Sequence, residues 1–183
     1  MIPEYYDRDV ILETADVILR PLRADDQKSV FNNINHDRRV LEYYLDRYCE
    51  KPEDVDLARQ VQTFEKIGYY NFAIVLKKTG EVIGRIHQCT KPNMYANSIE
   101  LGYALGYRYW NKGYCSQALD AVMNLLFEKG IHKIICGCIT ENVASKRVME
   151  KCGMIYEGTR KDDLYYHDRY WDVMYYYLLN KTR

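Results

Sequence analysis

The sequence predicts a mixed α/β fold: one mostly antiparallel sheet of about seven strands with helices on both faces. Three observations predict it. Apolar runs of strand length bunch together between residues 70 and 107, and amphipathic helical runs lie before and after them. The second half then alternates strand, helix, strand, helix before ending in two strands, which gives a mixed rather than a purely antiparallel sheet. No repeat, low-complexity segment or Pro/Ser-rich linker interrupts the 183 residues, so one domain is expected over 1–183.

In chain order, Val17 to Arg20 reads as a short strand stopped by Pro21. Ala24 to Asn33 reads as a helix, with Asp25 and Asp26 placed to complement its dipole. Arg38 to Tyr44 is a short helix. Pro52 to Ile67 is a longer one, with Pro near its start and Gly68 as its stop. Tyr70 to Leu76 and Glu81 to Cys89 are strands flanking Lys77-Lys78-Thr79-Gly80, a hairpin signal. Lys91 to Asn97 is a loop and Ser98 to Tyr107 a third strand. From Gln117 to Lys129 a helix carries Ala118, Val122, Leu125 and Leu126 on one face, and Gly130 ends it. Lys133 to Thr140 is a strand. Ala144 to Cys152 is a helix with Ala144, Val148, Met149 and Cys152 facing inward and Gly153 as stop. Met154 to Arg160 and Tyr170 to Leu179 close the chain as strands.

Composition narrows the function classes. Lys plus Arg is 26 and Asp plus Glu is 26, so bulk charge gives no argument for nucleic acid. No apolar run approaches the ~20 residues that span a bilayer, and the N-terminus lacks the pattern of a signal peptide. A cytoplasmic protein without a membrane partner is the expectation. The six cysteines form no C-x-x-C pair and no zinc spacing, and the four histidines show no metal pattern. No metal is expected, and the cysteines read as reduced. The 19 tyrosines suit half-buried strands and pocket walls alike.

The chemistry centres on Trp110-Asn111-Lys112-Gly113-Tyr114-Cys115-Ser116-Gln117, a glycine-containing turn between a strand and a helix. The first N–H groups of a helix have no intrahelical partner and sit at the positive end of its dipole, which suits a phosphate. The same turn also serves as a plain connection. Four more pieces surround it: Leu19-Arg20-Pro21-Leu22, Glu100-Leu101-Gly102-Tyr103, the run Asn142-Val143-Ala144-Ser145 through Glu150-Lys151-Cys152-Gly153, and Asp172. In this order and spacing the chain resembles the GNAT superfamily of acyl-CoA-dependent N-acetyltransferases, in particular the branch holding the ribosomal-protein N-terminal (serine/alanine) acetyltransferases. The chain departs from that pattern at Asn111, Cys115 and Gln117. It also has Met149 where many relatives carry the tyrosine that protonates the leaving thiolate.

The resemblance implies acetyl-CoA as co-substrate, and a V-shaped splay between the fourth and fifth strands that admits its pantetheine arm. Backbone N–H groups of Lys112, Gly113, Tyr114, Cys115 and Ser116 would hold the pyrophosphate. Leu101 and Tyr103 would offer backbone groups to the arm, with Asn142 contacting its amides. Arg147 and Lys151 either reach the phosphates or stay in solvent. Direct attack of an amine on the thioester needs a proton acceptor, an oxyanion donor and a thiolate donor. Glu100 is the candidate base and Ser145 the candidate donor, placed to take the role Met149 cannot. Each has a plain structural alternative: Glu100 as a hydrogen-bonded strand carboxylate, Ser145 as a helix serine bonded to its own backbone, and Asn142 as a helix cap. Tyr43, Tyr95, Tyr165 and Asp168 would grip the acceptor, with Tyr44, Tyr166 and Asp163 nearby. The acceptor itself stays open between a protein N-terminus and a small-molecule amine, and the chain between monomer and homodimer. Met149 and the altered turn keep open a second expectation, a CoA-binding module impaired in catalysis.

Overall fold

The computed structural model describes residues 4–91, 93 and 95–181. Positions 92 and 94 of the predicted Lys91–Asn97 loop lie outside them, as do 1–3 and 182–183. The strands are β1 Leu12–Glu13, β2 Val17–Pro21, β3 Asn71–Leu76, β4 Val82–Gln88, β5 Ser98–Leu105, β6 Lys133–Ile139, β7 Ile155–Tyr166 and β8 Arg169–Leu179. They form an eight-stranded sheet in the order β1-β2-β3-β4-β5-β6-β8-β7. The helices are α1 Gln27–Val30, α2 Arg38–Leu41, α3 Leu57–Ile67, α4 Tyr114–Glu128 and α5 Val143–Lys151. No helix among the described residues is long and apolar enough to cross a membrane.

All neighbouring strands run antiparallel except β5 and β6, which run parallel. That pair is in register only from Ser98↔Lys133 to Glu100↔Ile135. Past Glu100 the two strands part, so the expected splay lies between β5 and β6. Its ordinal shifts because the short β1, paired Leu12↔Leu19 and Glu13↔Ile18, precedes the predicted strands. Two residues are too few for an alternation to register in sequence.

Each sheet face carries its own core. One buries Leu19, Ile86, Leu101 and Ile134 against Ala118, Leu119, Val122, Leu126 and Met149 of α4 and α5. The other buries Ala73, Val75 and Ala104 against Val30, Ile34, Val40 and Leu57 of the N-terminal helices. All four apolar residues predicted along α4 are buried, and full burial of a side chain such as Leu126 contributes about 1.5–3 kcal/mol. On α5, Met149 is fully buried, whereas Ala144 is exposed at the mouth of a cavity.

Three elements differ from expectation. The first predicted helix is broken into a 3-10 turn, α1 and a π-type turn at Phe31–Asn35. The widening seats Asn33, whose amide donates to the Val82 carbonyl at 2.8 Å and to Glu81 at 3.0 Å. The third predicted helix is cut at Val55 and Asp56, before α3 begins. The predicted strand Met154 to Arg160 extends to Tyr166, so Tyr165–Tyr170 is the tip of a long hairpin rather than a loop. Its two turn residues, His167 and Asp168, have φ of 52° and 58°, the conformation of a two-residue hairpin turn. The tip docks on the segment after α2, where the Tyr166 hydroxyl lies 3.0, 3.2 and 3.3 Å from the carbonyl oxygens of Leu41, Tyr44 and Asp46.

Candidate active site

A cavity of about 250 Å³ opens where β5 leaves β6. Its lining brings together the turn before α4 (Asn111, Gly113, Tyr114, Cys115, Ser116), the exposed side of α5 (Asn142, Ser145, Arg147, Lys151), Tyr103 of β5, and Tyr43. Asn111 has φ 60°, so it keeps the left-handed conformation for which glycine is the usual choice. Gly113 caps α4 at φ 81°. A side chain there would be strained, and its Cβ would lie 3.5 Å from Lys151 Nζ. The first intrahelical bond runs from Gln117 N to Gly113 O, so the N–H groups of Tyr114, Cys115 and Ser116 have no intrahelical acceptor. Two cations of α5 therefore share a cavity with the positive end of α4. That donor set suits the diphosphate of CoA. Lys112 does not line the cavity; it is exposed, with its ammonium 5.8 Å from the Tyr109 ring.

Gln117, where the family pattern has an acid, ties α4 to the β1–β2 turn. Its Oε1 accepts from Thr14 and from Asp16 N, and its Nε2 donates to Asp16 Oδ2 at 2.7 Å. A carboxylate could not make that last bond. Cys115 is buried, and burial pushes its thiol up to about 12, so it fills space and stays protonated.

Side chains alternate across β5. Leu101 and Tyr103 face α4 and α5, whereas Glu100 and Gly102 face the N-terminal helices and the β7–β8 hairpin. Backbone groups alternate too. The Glu100 carbonyl accepts from Cys89 N, just past the end of β4, at 2.8 Å, so those of Leu101 and Tyr103 turn to the open side. The Leu101 side chain itself is core, 2% exposed.

The Tyr103 side chain does more than pack. Its hydroxyl lies 2.8 Å from Ser145 Oγ and donates to the Ser145 carbonyl at 3.3 Å. Burial above all pushes the Tyr103 phenol well up, so it stays protonated. Asn142 caps α5 by accepting from Ser145 N at 3.1 Å, which holds the first turn that carries Ser145 beside Tyr103. Met149 is sealed in the core, and a strand tyrosine stands in the site where a helix tyrosine was missing.

On the opposite face Glu100 is half-buried. Burial raises its carboxyl above the usual range, the nearby Arg160 charge opposes this, and Asp163 adds to it. Asp163 Oδ2 accepts from the Tyr175 hydroxyl at 2.9 Å and lies 3.8 Å from Arg160. Asp163 reaches this place through a bulge in β7 between Arg160 and Leu164, held by Asp172, which pairs with Lys161 at 2.6 Å and accepts from Asp162 N at 3.1 Å. Gly102 and Gly137 leave room on the two splayed strands. A Cβ on Gly102 would come within 2.9 Å of Cys89 Sγ and 3.1 Å of the His87 ring, and one on Gly137 within 2.9 Å of the Tyr175 ring.

The predicted acceptor residues divide. Tyr43 lines the cavity, 6.3 Å from the Trp171 ring. Tyr95 does not: it is 96% exposed in the segment leading into the paired, closed end of β5. Tyr165 is exposed against Tyr170, and Asp168 occupies the hairpin turn, so neither joins the lining. Sequence reasoning missed Tyr175, Arg160 and the Tyr103 side chain, whose meeting depends on strand order.

Comparison with known proteins agrees with this geometry. The acetyltransferase (GNAT) domain family matches residues 16–155. The chain belongs to the GNAT acetyltransferase family. The uncharacterised N-acetyltransferase YnaD of Bacillus subtilis is 28% identical over 93% of this chain and 97% of its own length. A GNAT-family acetyltransferase from Bacillus anthracis superposes with a TM-score of 0.81 at 28% identity, covering 94% of this chain and 99% of the other. A ribosomal-protein-S5-alanine acetyltransferase from Vibrio fischeri shares the fold with a TM-score of 0.81 at 20% identity, over 95% and 98% of the two chains. This GNAT domain is thus an acyl-CoA-dependent N-acetyltransferase that uses acetyl-CoA.

Proposed function

We propose that this GNAT domain acetylates a primary amine by direct attack across the splay, with Glu100 as base on one face and the Tyr103–Ser145 hydroxyl pair as acid on the other. The observation that carries the reading is that pair, 2.8 Å apart, inside the cavity that also holds the N-terminus of α4. Bound acetyl-CoA supplies the activated acyl group as a thioester. The N–H groups of Tyr114, Cys115 and Ser116 bind its diphosphate, with Arg147 and Lys151 adding charge. Leu101 and Tyr103 offer backbone hydrogen bonds to the extended arm along the open edge of β5. Glu100, its proton affinity raised by burial, receives the proton of the incoming amine. Ser145 Oγ–H protonates the leaving thiolate while the Tyr103 phenol turns its one hydrogen from the Ser145 carbonyl to Ser145 Oγ, and water then restores the phenol's proton. The hydroxyl pair, and an Asn111 that keeps the left-handed conformation, weigh against a catalytically impaired module, for which Met149 and the altered turn are the motives.

Thermal melting with acetyl-CoA, followed by thioester consumption over an amine panel, tests the reading. A ligand that binds only the folded chain raises its stability, by about 2.7 kcal/mol at a hundred times Kd. The expected result is a raised Tm and turnover with at least one amine. No shift at saturating acetyl-CoA overturns the cofactor assignment, and a shift without turnover on any amine overturns the catalytic one.

A further inference from the structure

A buried cation with no counter-ion lies behind the acceptor face. Arg85 of β4 is 3% exposed. Its NH1 donates to Gln60 Oε1 at 2.9 Å and its NH2 to Asn71 Oδ1 at 3.1 Å, both neutral amides. Among the described residues no carboxylate pairs with it, and its Nε–H has no partner. The Asn71 amide nitrogen, a second buried donor on the same unit, is also unpartnered. A guanidinium does not lose its charge. Taking such a charge out of water costs several kcal/mol unless an opposite charge meets it, and two amide oxygens bring no charge.

The surroundings say what meets it. Gln60 lines a second cavity of about 360 Å³, together with Asn35, Phe64, the carboxylates Asp46 and Asp56, and the cations Arg47 and Arg59. Asn71 lines a hollow of about 20 Å³, room for little more than a water. Arg85 itself does not line the larger cavity; Gln60 stands between that cavity and the guanidinium, so a ligand meets the cation by displacing the Gln60 amide. From there the route to the reaction centre is short. His87 stands between Phe64, at 5.8 Å, and Tyr44, at 6.2 Å, and Tyr44 lines the first cavity. His87 also packs under Gly102, two residues from Glu100. Arg85 pairs with Ala104, four residues along β5 from Glu100, roughly 13 Å at ~3.3 Å per residue. Its guanidinium leans back toward Asn71, the register partner of His87, which shortens that span.

We propose that Arg85 receives a carboxylate of the acceptor, so that the acceptor is an amine carrying a carboxylate several bonds away, as in an ω-amino acid or a short peptide. A planar carboxylate fits the unused donors: Nε–H and a neighbouring N–H on one edge of the guanidinium make a side-on pair. The carboxylate thereby replaces the missing counter-ion, and Glu100 receives the amine end.

This inference rests on the transferase reading, and the experiment separates the two. Acetyl transfer is measured with aminohexanoate, aminohexanamide and hexylamine. Binding is measured independently as the thermal shift given by hexanoate, which has no amine. Wild type is expected to favour aminohexanoate over aminohexanamide by about tenfold or more in kcat/KM, and hexanoate is expected to raise its Tm. Arg85→Met, similar in length and uncharged, removes both effects, and Arg85→Lys restores part of them. Equal kcat/KM for the two amines, or no hexanoate shift in wild type, overturns the carboxylate site and leaves the transferase reading standing. A hexanoate shift that Arg85→Met abolishes supports the site even where no tested amine is turned over. The wild-type measurements hold whether or not the Met variant folds.

Discussion

The two faces of the splayed sheet are assembled in different ways. The cofactor face comes from two unbroken stretches, the turn into α4 and the first turns of α5, plus one tyrosine of β5. The proposed acceptor face collects Glu100, His87, Tyr44, Asp163 and Tyr175 from five separate segments, each placed by strand order, a bulge or a hairpin. A site that must hold a common diphosphate can be built from local backbone geometry, because helix N-termini and a left-handed turn supply it directly. A site that must fit one particular amine is built from side chains brought together by topology. Exchanging one of its residues disturbs no local motif.

Substitutions on each face should therefore change different quantities. The largest effect is expected from Glu100→Gln on the acceptor face. Loss of a general base costs about 10²–10⁴ in kcat, with the Kd for acetyl-CoA little changed. The sign of the pH profile follows from its raised proton affinity. In wild type kcat/KM climbs with pH as Glu100 ionises, with an inflection above the usual carboxylate range. In Glu100→Gln that inflection is absent. A profile that keeps it assigns the base elsewhere.

Next is the hydroxyl pair. Ser145→Ala combined with Tyr103→Phe lowers kcat by about 10²-fold, and Ser145→Ala alone by less, because the Tyr103 hydroxyl remains. Isothermal titration of both variants should show acetyl-CoA affinity nearly intact; a parallel loss of affinity would make the pair a structural brace. The smallest effect belongs to the charges. Arg147→Ala with Lys151→Ala weakens acetyl-CoA by about tenfold, about 1.4 kcal/mol, and flattens its salt dependence. The pH inflection stays where it is. A moved inflection would mean that the faces are electrostatically coupled and the contrast between them too sharp.

The same contrast explains what could be read from sequence. α4 was legible because its four apolar residues at helical spacing carry the burial. The turn at Gly113 was legible because glycine and asparagine mark left-handed positions. The far half of β7 was not. Lys161, Asp162 and Asp163 look like a loop, yet they lie in an edge strand exposed along much of its length, where charge discourages further pairing. Tyr103 and Ser145 were both singled out, but not as partners, since 42 residues separate them. Arg85 carried no signal either, because an arginine in a strand that also holds His87 and Gln88 looks like any other until its partners are counted.

The Tyr166 hydroxyl at the hairpin tip has one hydrogen and three carbonyl oxygens within reach, those of Leu41, Tyr44 and Asp46. Only one of these bonds is made fully at any moment, so the hydrogen can pass from one oxygen to the next as the segment slides beneath it. The joint behaves as a swivel rather than a rivet. Whichever of the three bonds is made, the wall that carries Tyr43 and Tyr44 stays fastened to the strand that presents Asp163.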